Sequence, residues 1–415
     1  MKLALVTDVF PPNSGGSGWS TFYLARALQE RGHQVQVVMP RESKESGPTF
    51  REYEGLPVTE YHYHASRLPF VRNFTRNERL YPPFADFLAG FFKEHRIELA
   101  HGQHYLTIPP TVRAAEQLGI PSVATVRDYW PVCYWTTHLS GDKICPGCSE
   151  INRLVCLYRN QGPAGIAAAP VSLYMGANLK LKQSWLARAD RTLAVSGYIA
   201  TKLKPFVPAQ RLEVMPNFID LDRLQQITSQ PPVTPSTTEP YLLFVGKFEE
   251  NKGARLLLDV LREARPALPT LAVGEGSLRG ELEQAAREGL NLRVLDWAEN
   301  AEVLRLMSRA EALLFPSLWP EPLSRVLLEA IGVGALVVAM ETGGTPDIIQ
   351  HEHNGLLATN PLGMARNLRE ILAPGQETRR ESLKAAARET ARQRFSREAV
   401  VERVEKLYFE LAGKA

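Results

Sequence analysis

Residues 312–330 read ALLFPSLWPEPLSRVLLEA, and this stretch is the most informative in the chain. The apolar run from Ala312 to Phe315 predicts a strand, and the segment after it predicts a helix that begins at Pro322. Pro322 suits the first position of a helix, because its missing N–H is no loss there. Glu321 precedes a proline and is therefore expected in extended backbone. The stretch predicts a strand, a polar turn and a helix.

The same unit offers groups that could bind a ligand. The N–H groups of Leu323 and Ser324 would face an anion at the helix N-terminus. Glu329 lies two helical turns into the predicted helix, so its carboxylate would lie roughly 12 Å from that of Glu321. This separation suits two ends of an elongated, hydroxyl-rich ligand and is too long for a carboxylate pair that activates water. The alternative interpretation is an ordinary helix with one exposed and one half-buried glutamate.

Strand-like and helical runs alternate along the rest of the chain, which predicts an α/β fold of parallel sheets covered by helices. The predicted strands are 3–9, 35–39, 98–100, 122–126, 192–195, 241–245, 270–273, 292–295, 312–315 and 335–339. The predicted helices include 20–31, 85–96, 112–118, 173–189, 278–287 and a long helical stretch over 378–411.

A proline-rich break at residues 229–240, SQPPVTPSTTEP, divides this pattern into two parts. We predict a first domain over 1–225, a linker over 226–240, a second domain over 241–395 and a C-terminal helix over 396–415. Ligands of open parallel sheets bind at the carboxyl ends of the strands, so two facing sheets would place a site in the cleft between them.

Composition excludes several classes of protein. The chain has 415 residues, 44% of them hydrophobic and 22% charged, which is typical of a folded globular protein. A net charge of +3 is too small for a general nucleic-acid binder. No apolar run reaches the ~18 residues that a membrane-spanning helix needs. The N-terminus lacks the features of a signal peptide, so we expect a cytoplasmic location.

Three glycine-containing turns follow predicted strands. Gly15-Gly16-Ser17-Gly18 precedes a helix, and its glycines would let a phosphate approach the backbone. The turn 246–253, GKFEENKG, carries Lys247 and Lys252 before a helix and suits a diphosphate. The stretch 342–349, TGGTPDII, follows a third strand. For each, an ordinary solvated turn is the alternative interpretation.

Taken together, these motifs resemble GT-B glycosyltransferases of the large retaining family 4, the glycogen-synthase-like group 1 transferases. The resemblance covers nearly the whole chain, and the order and spacing of the motifs carry it. The segment 212–220, LEVMPNFID, also belongs to the pattern. It implies two Rossmann-like domains facing a cleft, with a nucleotide-binding C-terminal domain. It also implies that the C-terminal helix crosses back onto the first domain.

The resemblance also implies roles for individual residues. Lys247 and Lys252 would bind the donor diphosphate and stabilise the leaving group, and Gly16 would offer its N–H to the phosphates. Glu329 would hold the ribose hydroxyls, and Glu321 would lie beside the donor sugar. The chemistry agrees, since lysines and helix N–H groups stabilise a leaving phosphate without a metal at the donor site.

One position departs from the family pattern. Many relatives carry a histidine where this chain has Arg127, in the segment TVRDYW at 125–130. A guanidinium is a poor base and a good anion clamp, so Arg127 is a candidate contact for the donor or for an anionic acceptor. His101 and His104 are nearby alternatives, although a histidine at a strand end is more often structural.

The resemblance predicts a retaining transferase that moves a hexose from a UDP- or GDP-sugar to a hydroxyl of a glycan or lipid-linked acceptor, in glycolipid or surface polysaccharide synthesis. Two alternatives stay open at this point. One is a sugar-nucleotide 2-epimerase on the same fold, and the other is a non-catalytic subunit that binds a partner transferase.

All four cysteines fall in one insertion over 131–160: Cys133, Cys145, Cys148 and Cys156. In a reducing compartment such a cluster suggests a structural zinc or iron–sulfur site. The alternative is four reduced thiols or a redox-labile pair in the motif CPGC at 145–148.

Residues 151–212 hold nine lysines and arginines against one acid, Asp190, and four arginines from Arg67 to Arg79 alternate with aromatic residues. Such faces can contact anionic membranes or polyprenyl-phosphate lipids, so peripheral contact with the inner face of the membrane is expected. A solvated basic face is the alternative interpretation.

Overall fold

A computed structural model describes residues 1–12, 14–45, 47–68, 71–140, 143–162, 169–233 and 239–414. The chain divides into two compact units. We call them the first unit, Met1–Pro216 with Val401–Ala415, and the second unit, Asn217–Val400. The predicted linker includes residues 234–238, which lie outside the described residues, and the predicted domain boundaries stay predictions. Each unit is built on a mainly parallel sheet, which confirms the predicted α/β class.

The first unit contains an eight-stranded sheet in the order β10-β9-β6-β5-β1-β2-β4-β3. Every neighbouring pair is parallel except β3 and β4. The strands of the sheet are β1 Lys2–Val6, β2 Gln34–Glu42, β3 Gly47–Tyr53, β4 Leu56–Tyr63, β5 Leu99–Gly102, β6 Ser122–Val126, β9 Arg191–Ala194 and β10 Leu212–Val214. The short strands β7 Leu139–Ser140 and β8 Lys143–Ile144 pair separately within the cysteine-containing insertion.

Helices cover this sheet because their apolar faces pack against its buried strands. In the helix Tyr81–His95, Phe84, Leu88 and Phe92 are fully buried in a core shared with Val6. The remaining helices of the unit are Gly16–Glu30, Val71–Arg76, Ile108–Leu118, Glu150–Gln161, Ala169–Arg188 and Gly197–Leu203, with a short 3-10 turn at Ala209–Arg211.

The hairpin of β3 and β4 is absent from the sequence prediction. Its turn is Glu54-Gly55, and both residues have positive φ, 48° and 78°. Two residues of this kind between strands are typical of the hairpin turn that matches the strand twist.

The second unit contains a six-stranded, fully parallel sheet in the order β13-β12-β11-β14-β15-β16. Its strands are β11 Leu242–Val245, β12 Thr270–Val273, β13 Leu292–Leu295, β14 Ala312–Phe315, β15 Val337–Met340 and β16 Leu356–Ala358. Its helices are Leu221–Thr228, Ala254–Ala264, Arg279–Arg287, Asn300–Arg309, Arg325–Val333, Thr345–Ile348, Pro361–Ile371 and Glu377–Thr390, with a 3-10 turn at Glu250–Lys252. Leu257 and Leu261 pack with Phe244 in the buried core of this unit.

The helical C-terminal stretch is interrupted by a π-helical turn at Ala391–Phe395 and continues as the helix Arg397–Leu411. Within the first unit, Glu405 of this helix accepts hydrogen bonds from Arg31, at 2.5 Å, and contacts Nε2 of His33 at 2.8 Å. Tyr408 is fully buried, and its hydroxyl contacts Nδ1 of His101 at 2.5 Å. Residues from Val401 onward therefore complete the core of the first unit.

Candidate functional site

Three loops meet at the carboxyl edge of the sheet in the second unit, after β11, β12 and β14. The backbone N–H of Phe248 donates to the carbonyl of Glu275 at 2.8 Å. The N–H groups of Leu318 and Trp319 both donate to the carbonyl of Asn251, at 3.1 and 2.8 Å. Each loop thus fixes its neighbour, and the candidate donor-binding residues are carried on a rigid edge.

Glycines make this close packing of loops attainable. Gly253 has φ +77°, and a Cβ there would lie 1.9 Å from the carbonyl oxygen of Pro316. Gly343 has φ +53°, and its Cβ would lie 2.4 Å from the carbonyl carbon of Pro320. Gly344 donates its N–H to the carbonyl of Glu321 at 2.7 Å. The glycines at 343 and 344 therefore serve contact between loops, a role that the sequence analysis did not assign to them.

The structure brings together two of the predicted catalytic residues, Lys252 and Glu321. The ammonium of Lys252 lies 2.5 Å from Oε1 of Glu321 and 4.3 Å from the centre of the Trp319 ring. Glu321 is buried, and Lys252 keeps about a quarter of its side chain exposed. An ammonium between a carboxylate and an aromatic face is held in place while still reaching solvent. Lys247, on the same turn, is exposed.

The helix that follows begins later than the sequence predicts. It runs over Arg325–Val333 with Ser324 as its N-cap, because the Ser324 hydroxyl accepts the N–H of Leu327 at 3.4 Å. Capping by serine outweighs the preference of Pro322 for a first helical position. The first-turn N–H groups therefore belong to Arg325 and Val326 instead of Leu323 and Ser324, and the anion-binding role of Leu323 and Ser324 stays a prediction.

Glu329 is buried on this helix, and its surroundings include a residue that the sequence analysis missed. The side-chain amide of Asn300 donates to both carboxylate oxygens of Glu329 at 3.3 Å, and Arg325 lies 3.8 Å away. Burial raises the pKa of Glu329, although Arg325 and Asn300 act in the opposite direction. The contact of Asn300 with Glu329 can be recognised only from the fold, because Asn300 begins a different helix, 29 residues earlier in the sequence.

In the first unit, His104 lies between two carboxylates at the carboxyl edge of the sheet. Its Nδ1 is 2.7 Å from Asp8, which follows β1, and its Nε2 is 2.9 Å from Asp128, which follows β6. Burial disfavours the charged ring, but the charges and hydrogen bonds of both aspartates outweigh it and raise the pKa of His104 to about 10. Both carboxylates therefore favour the charged, imidazolium form of His104.

Arg127 and His101 lie beside this group with different partners. Arg127 donates from both terminal nitrogens to Gln103, at 2.9 Å to its carbonyl and 2.6 Å to its side-chain oxygen. Burial lowers the pKa of Arg127 to about 10. His101 is buried between Tyr408 and Thr125, and burial lowers its pKa well below the ordinary value. His101 is thus a neutral core residue, and the catalytic role of Arg127 stays a prediction.

Gly16 is the first residue of the helix Gly16–Glu30, which begins four residues before the predicted start at Ser20. The N-cap Gly15 gives this helix no side-chain cap, and a Cβ at Gly16 would meet no atom within 4 Å. Gly18, by contrast, has no room, since a Cβ there would lie 2.6 Å from Ser14. The helix end at Gly16 therefore opens onto free space, as phosphate binding would require.

A cavity of about 460 Å³ lies at the same edge of the first sheet, near the ends of β1, β2 and β4. Asp8, Tyr63 and Arg76 are among its lining residues. Glu60, on its wall, is buried and binds Arg41 at 2.5 Å and Arg51 at 2.7 Å. Oδ1 of Asp8 is buried without a hydrogen-bond partner in the described part of the chain. Residues of the unpredicted hairpin, Arg51, Glu60 and Tyr63, form one side of this cavity, and the rest of its lining comes from segments that are distant in sequence.

The four cysteines are free thiols with local partners. Cys133 and Cys156 are buried, and their sulfurs accept hydrogen bonds from the backbone of His138 at 3.3 Å and from Asn160 at 3.2 Å. Burial raises the pKa of Cys148 to about 11. Within the residues that the structure describes, no three His, Cys, Asp or Glu side chains are placed to hold a metal ion. The predicted zinc or iron–sulfur ligand set is therefore not assembled here.

Among the described helices, none is both long and apolar enough to traverse a lipid bilayer.

Comparison with known proteins identifies the family. The family profile "Glycosyltransferase Family 4" matches residues 14–223, and "Glycosyl transferases group 1" matches residues 239–374. The uncharacterized glycosyltransferase MJ1607 of Methanocaldococcus jannaschii is 23% identical over 90% of this chain and 89% of its own length. Two further relatives are matched over only 48% and 59% of their lengths. One of these is LpsD of Rhizobium meliloti, a lipopolysaccharide core biosynthesis glycosyltransferase, 28% identical over 49% of this chain.

Among solved structures, HepE of Anabaena in complex with UDP is similar with a TM-score of 0.70 and 17% identity, over 99% of this chain and all of HepE. This likeness concerns the fold, and the family profiles concern the sequence of both units. The chain therefore belongs to glycosyltransferase family 4 and has the GT-B fold.

Proposed function

We propose that this protein is a retaining glycosyltransferase that moves a hexose from a UDP- or GDP-sugar to a hydroxyl of a glycan or lipid-linked acceptor. Two similar proteins support the proposal: HepE was crystallised with UDP, and LpsD acts in lipopolysaccharide core biosynthesis. Synthesis of a glycolipid or a surface polysaccharide is the corresponding cellular role.

The observation that carries the proposal is the contact between Lys252 and Glu321 at 2.5 Å, at the carboxyl edge of the second sheet. Cleavage of an anomeric C–O bond creates positive charge on the sugar and negative charge on the leaving phosphate. An ammonium and a carboxylate held side by side match both charges of such a transition state. Ligands of open parallel sheets bind at this edge, so the pair is also where a donor would lie.

Each of the other residues takes a role in the same scheme. Lys247 and Lys252 bind the diphosphate and stabilise its leaving charge. Glu329 holds the ribose hydroxyls, and the main-chain groups of Leu323 and Ser324 line the donor site. In the first unit, Gly16 offers its N–H to the phosphates, and Arg127 contacts the donor or an anionic acceptor. None of these roles requires a metal ion at the donor site.

The first experiment is a thermal-shift screen of the purified full chain with UDP, GDP, ADP and CMP and with their sugar conjugates. A nucleotide at 100 times its dissociation constant stabilises the folded state by about 2.7 kcal/mol, which is easily measured. We expect a shift with UDP or GDP that Lys252→Ala abolishes. The absence of a shift with every nucleotide would contradict a donor site and favour a non-catalytic subunit.

The second experiment separates an enzyme from a binding subunit. We expect Glu321→Ala to lose sugar transfer while it retains the nucleotide shift. The matched control is Glu281→Gln, which removes another ion-paired glutamate of the same unit, 2.8 Å from Arg255 on the surface. Equal transfer by wild type and Glu321→Ala would overturn the proposed role of this residue. Conversion of the nucleotide sugar into its 2-epimer, without transfer, would indicate the epimerase alternative.

A further inference from the structure

One oxygen of the Asp8 carboxylate has no protein partner in the part of the chain that the structure describes. Its Oδ2 is 2.7 Å from Nδ1 of His104 and accepts the N–H of Leu106 at 3.3 Å. Its Oδ1 is buried without a hydrogen bond, and the side chain as a whole is only 8% exposed. An ionised carboxylate oxygen accepts hydrogen bonds only, and leaving it unpaired in the interior costs free energy. We therefore expect a donor from outside the chain at Oδ1.

This carboxylate lines the cavity of about 460 Å³ at the carboxyl edge of the first sheet. We call it the hairpin cavity and define it by Asp8, Arg41, Arg51, Glu60, Tyr63 and Arg76. Small-molecule sites occupy about 300–1,000 Å³, and a mono- or disaccharide belongs to that class of ligand. Ligands of open parallel sheets also bind at this edge. Size and position therefore both suit a bound molecule.

The charged side chains of the cavity are equal in number, and most of them are paired with each other. Its lining contains three arginines and three carboxylates. Glu60 binds Arg41 through one oxygen at 2.5 Å and Arg51 through the other at 2.7 Å. Glu42 binds Arg72 at 2.7 Å. An anion would compete with these carboxylates for the arginines, and breaking such pairs is costly. A neutral ligand leaves the pairs intact.

The cavity also offers donors that these pairs do not use. Nε of Arg76 is buried, forms no hydrogen bond with any described residue, and lies 3.9 Å from Glu42. Arg51 donates its Nε to Glu60 and its Nη2 to the carbonyl of Pro11 at 3.2 Å, and a guanidinium carries more N–H groups than these two contacts use. A hydroxyl both donates and accepts, so the hydroxyls of one sugar ring could satisfy the carboxylate and the guanidinium groups together.

Apolar and aromatic groups complete the lining. Phe10 and Leu106 are buried at the cavity wall, and Met39 is half-buried. Burial raises the pKa of Tyr63, although Arg76 acts in the opposite direction, so its hydroxyl stays protonated at neutral pH. The C–H groups of a sugar ring pack on such surfaces while its hydroxyls reach the polar groups. An acyl chain would instead remove water from the charged groups without pairing them.

We propose that the hairpin cavity binds a neutral sugar and that this sugar is the acceptor end of a glycan. Its hydroxyls donate to Oδ1 of Asp8 and accept from the N–H groups of Arg76. The residues assigned to the sugar and the ribose of the donor, Glu321 and Glu329, belong to the second unit. A sugar bound wholly by the first unit is therefore the acceptor. The acceptor role rests on the proposed transfer reaction, whereas sugar binding by the cavity does not.

The test is saturation-transfer NMR and isothermal titration of the full chain with the methyl glycosides of glucose, galactose, mannose and N-acetylglucosamine. We expect at least one of these neutral glycosides to bind. The uronate and the 6-phosphate of the same sugar should bind more weakly, because the arginines of the cavity already have carboxylate partners.

Two pairs of variants locate the binding site. Arg76→Gln should weaken binding of the glycoside about tenfold or more, since a hydrogen bond to a charged group is worth a factor of about 10–100. Its matched control is Arg72→Gln, because Arg72 lies on the same helix and pairs with the same Glu42 but is outside the cavity lining. Asp8→Asn should weaken binding several-fold or more. Its control is Asp128→Asn, which removes the other carboxylate from His104 and should leave sugar binding unchanged.

A kinetic readout tests the acceptor role. In transfer to the glycoside that binds, Arg76→Gln should raise the KM for that glycoside about tenfold or more. The thermal shift with UDP or GDP should stay as in wild type, because the variant leaves the second unit unchanged. Circular dichroism melts check that every variant folds.

Three results overturn the proposal. They are the absence of binding by every neutral glycoside, tighter binding of the matched uronate or 6-phosphate, and equal glycoside affinity of Arg76→Gln and Arg72→Gln. Sugar binding without any nucleotide shift would keep the cavity as a sugar site and contradict the transfer reaction. A nucleotide shift without sugar binding would contradict the cavity proposal and leave the donor site intact.

Discussion

The carboxyl edges of the two sheets are built in different ways. In the second unit, Lys252 and Glu321 lie on the loops that follow β11 and β14, and the glycines at 253, 343 and 344 pack closely against neighbouring loops. In the first unit, Asp8, His104 and Asp128 come from loops after three different strands, and the contacts of His104 with both aspartates join side chains. The second edge is therefore held by close packing of the backbone, whereas charged side chains contribute to holding the first.

The largest effect is expected where the backbone itself is crowded. Gly253→Ala should destabilise the fold by about 2–4 kcal/mol, because it combines a left-handed φ with a Cβ 1.9 Å from the Pro316 carbonyl oxygen. Gly16→Ala should change the free energy of unfolding by less than about 1 kcal/mol, since its Cβ enters open space on a helix. Urea unfolding of both variants measures the difference. Similar losses of unfolding free energy in Gly253→Ala and Gly16→Ala would contradict the proposed difference between the two sheet edges.

In the first unit, the stability that the contacts of His104 with Asp8 and Asp128 contribute should instead depend on pH. The pKa of His104 rises from an unfolded value of about 6.5 to about 10, so its stabilising contribution is complete below pH ~6.5 and disappears as the pH rises through ~10. His104→Gln should therefore be less stable than wild type by an amount that shrinks from pH 6 to pH 10. Chemical denaturation across this range is the measurement.

A matched control for this pH dependence is His353→Gln, because His353 is exposed in the second unit. We expect its difference from wild type to be small and nearly constant over the same range. A His104→Gln difference that does not change with pH would mean that the ring is neutral and that its contacts with Asp8 and Asp128 do not depend on charge.

The same contrast explains what the sequence could predict. The strands 122–126, 270–273, 292–295 and 312–315 were predicted with their observed bounds, since apolar runs between turns report parallel strands directly. Lys252 and Glu321 lie in the loops that the sequence predicts after β11 and β14, because each belongs to a local motif, and their roles stay predictions. The contacts of Asn300 with Glu329, and of His104 with two aspartates, depend on loops distant in sequence, and no local pattern encodes them.

Helix starts were the least predictable features. The helix expected from Pro322 begins at Arg325, because a single hydroxyl, that of Ser324, decides where the chain turns. The helix expected from Ser20 begins at Gly16, because glycines carry no helical signal of their own. The hairpin at 47–63 was missed because its strands alternate irregularly and its outer strand is largely exposed.

A smaller effect is expected at Glu329, where stability and binding should move in opposite directions. Burial raises the pKa of this carboxyl, so the ionised form costs folding free energy at neutral pH, and Glu329→Gln should melt slightly higher in the absence of ligand. If Glu329 binds ribose hydroxyls, the same variant should bind UDP or GDP about 10- to 100-fold more weakly, since a charged hydrogen bond is worth about 1.5–3 kcal/mol. Isothermal titration and melting curves of one preparation test both.

Arg325→Gln serves as the control, because it keeps the carboxylate and Asn300. Unchanged nucleotide affinity in Glu329→Gln would remove the residue from the donor site.

The smallest effects concern the cysteines, where the comparison can be sharpened without the donor site. Cys133 is buried and accepts the N–H of His138, whereas Cys148 is partly exposed. Without a metal, Cys133→Ser should cost about 1–2 kcal/mol and Cys148→Ser less than about 1 kcal/mol, following their burial. With a bound zinc or iron–sulfur centre, both variants should lose similar stability, because removing any ligand opens the site.

Measuring zinc and iron in the wild type and in both variants decides between these cases. One metal per chain that disappears in both variants would show that the four thiols close around an ion despite the separate contacts they make in this structure. Metal-free protein with unequal losses would leave the insertion stabilised by packing alone.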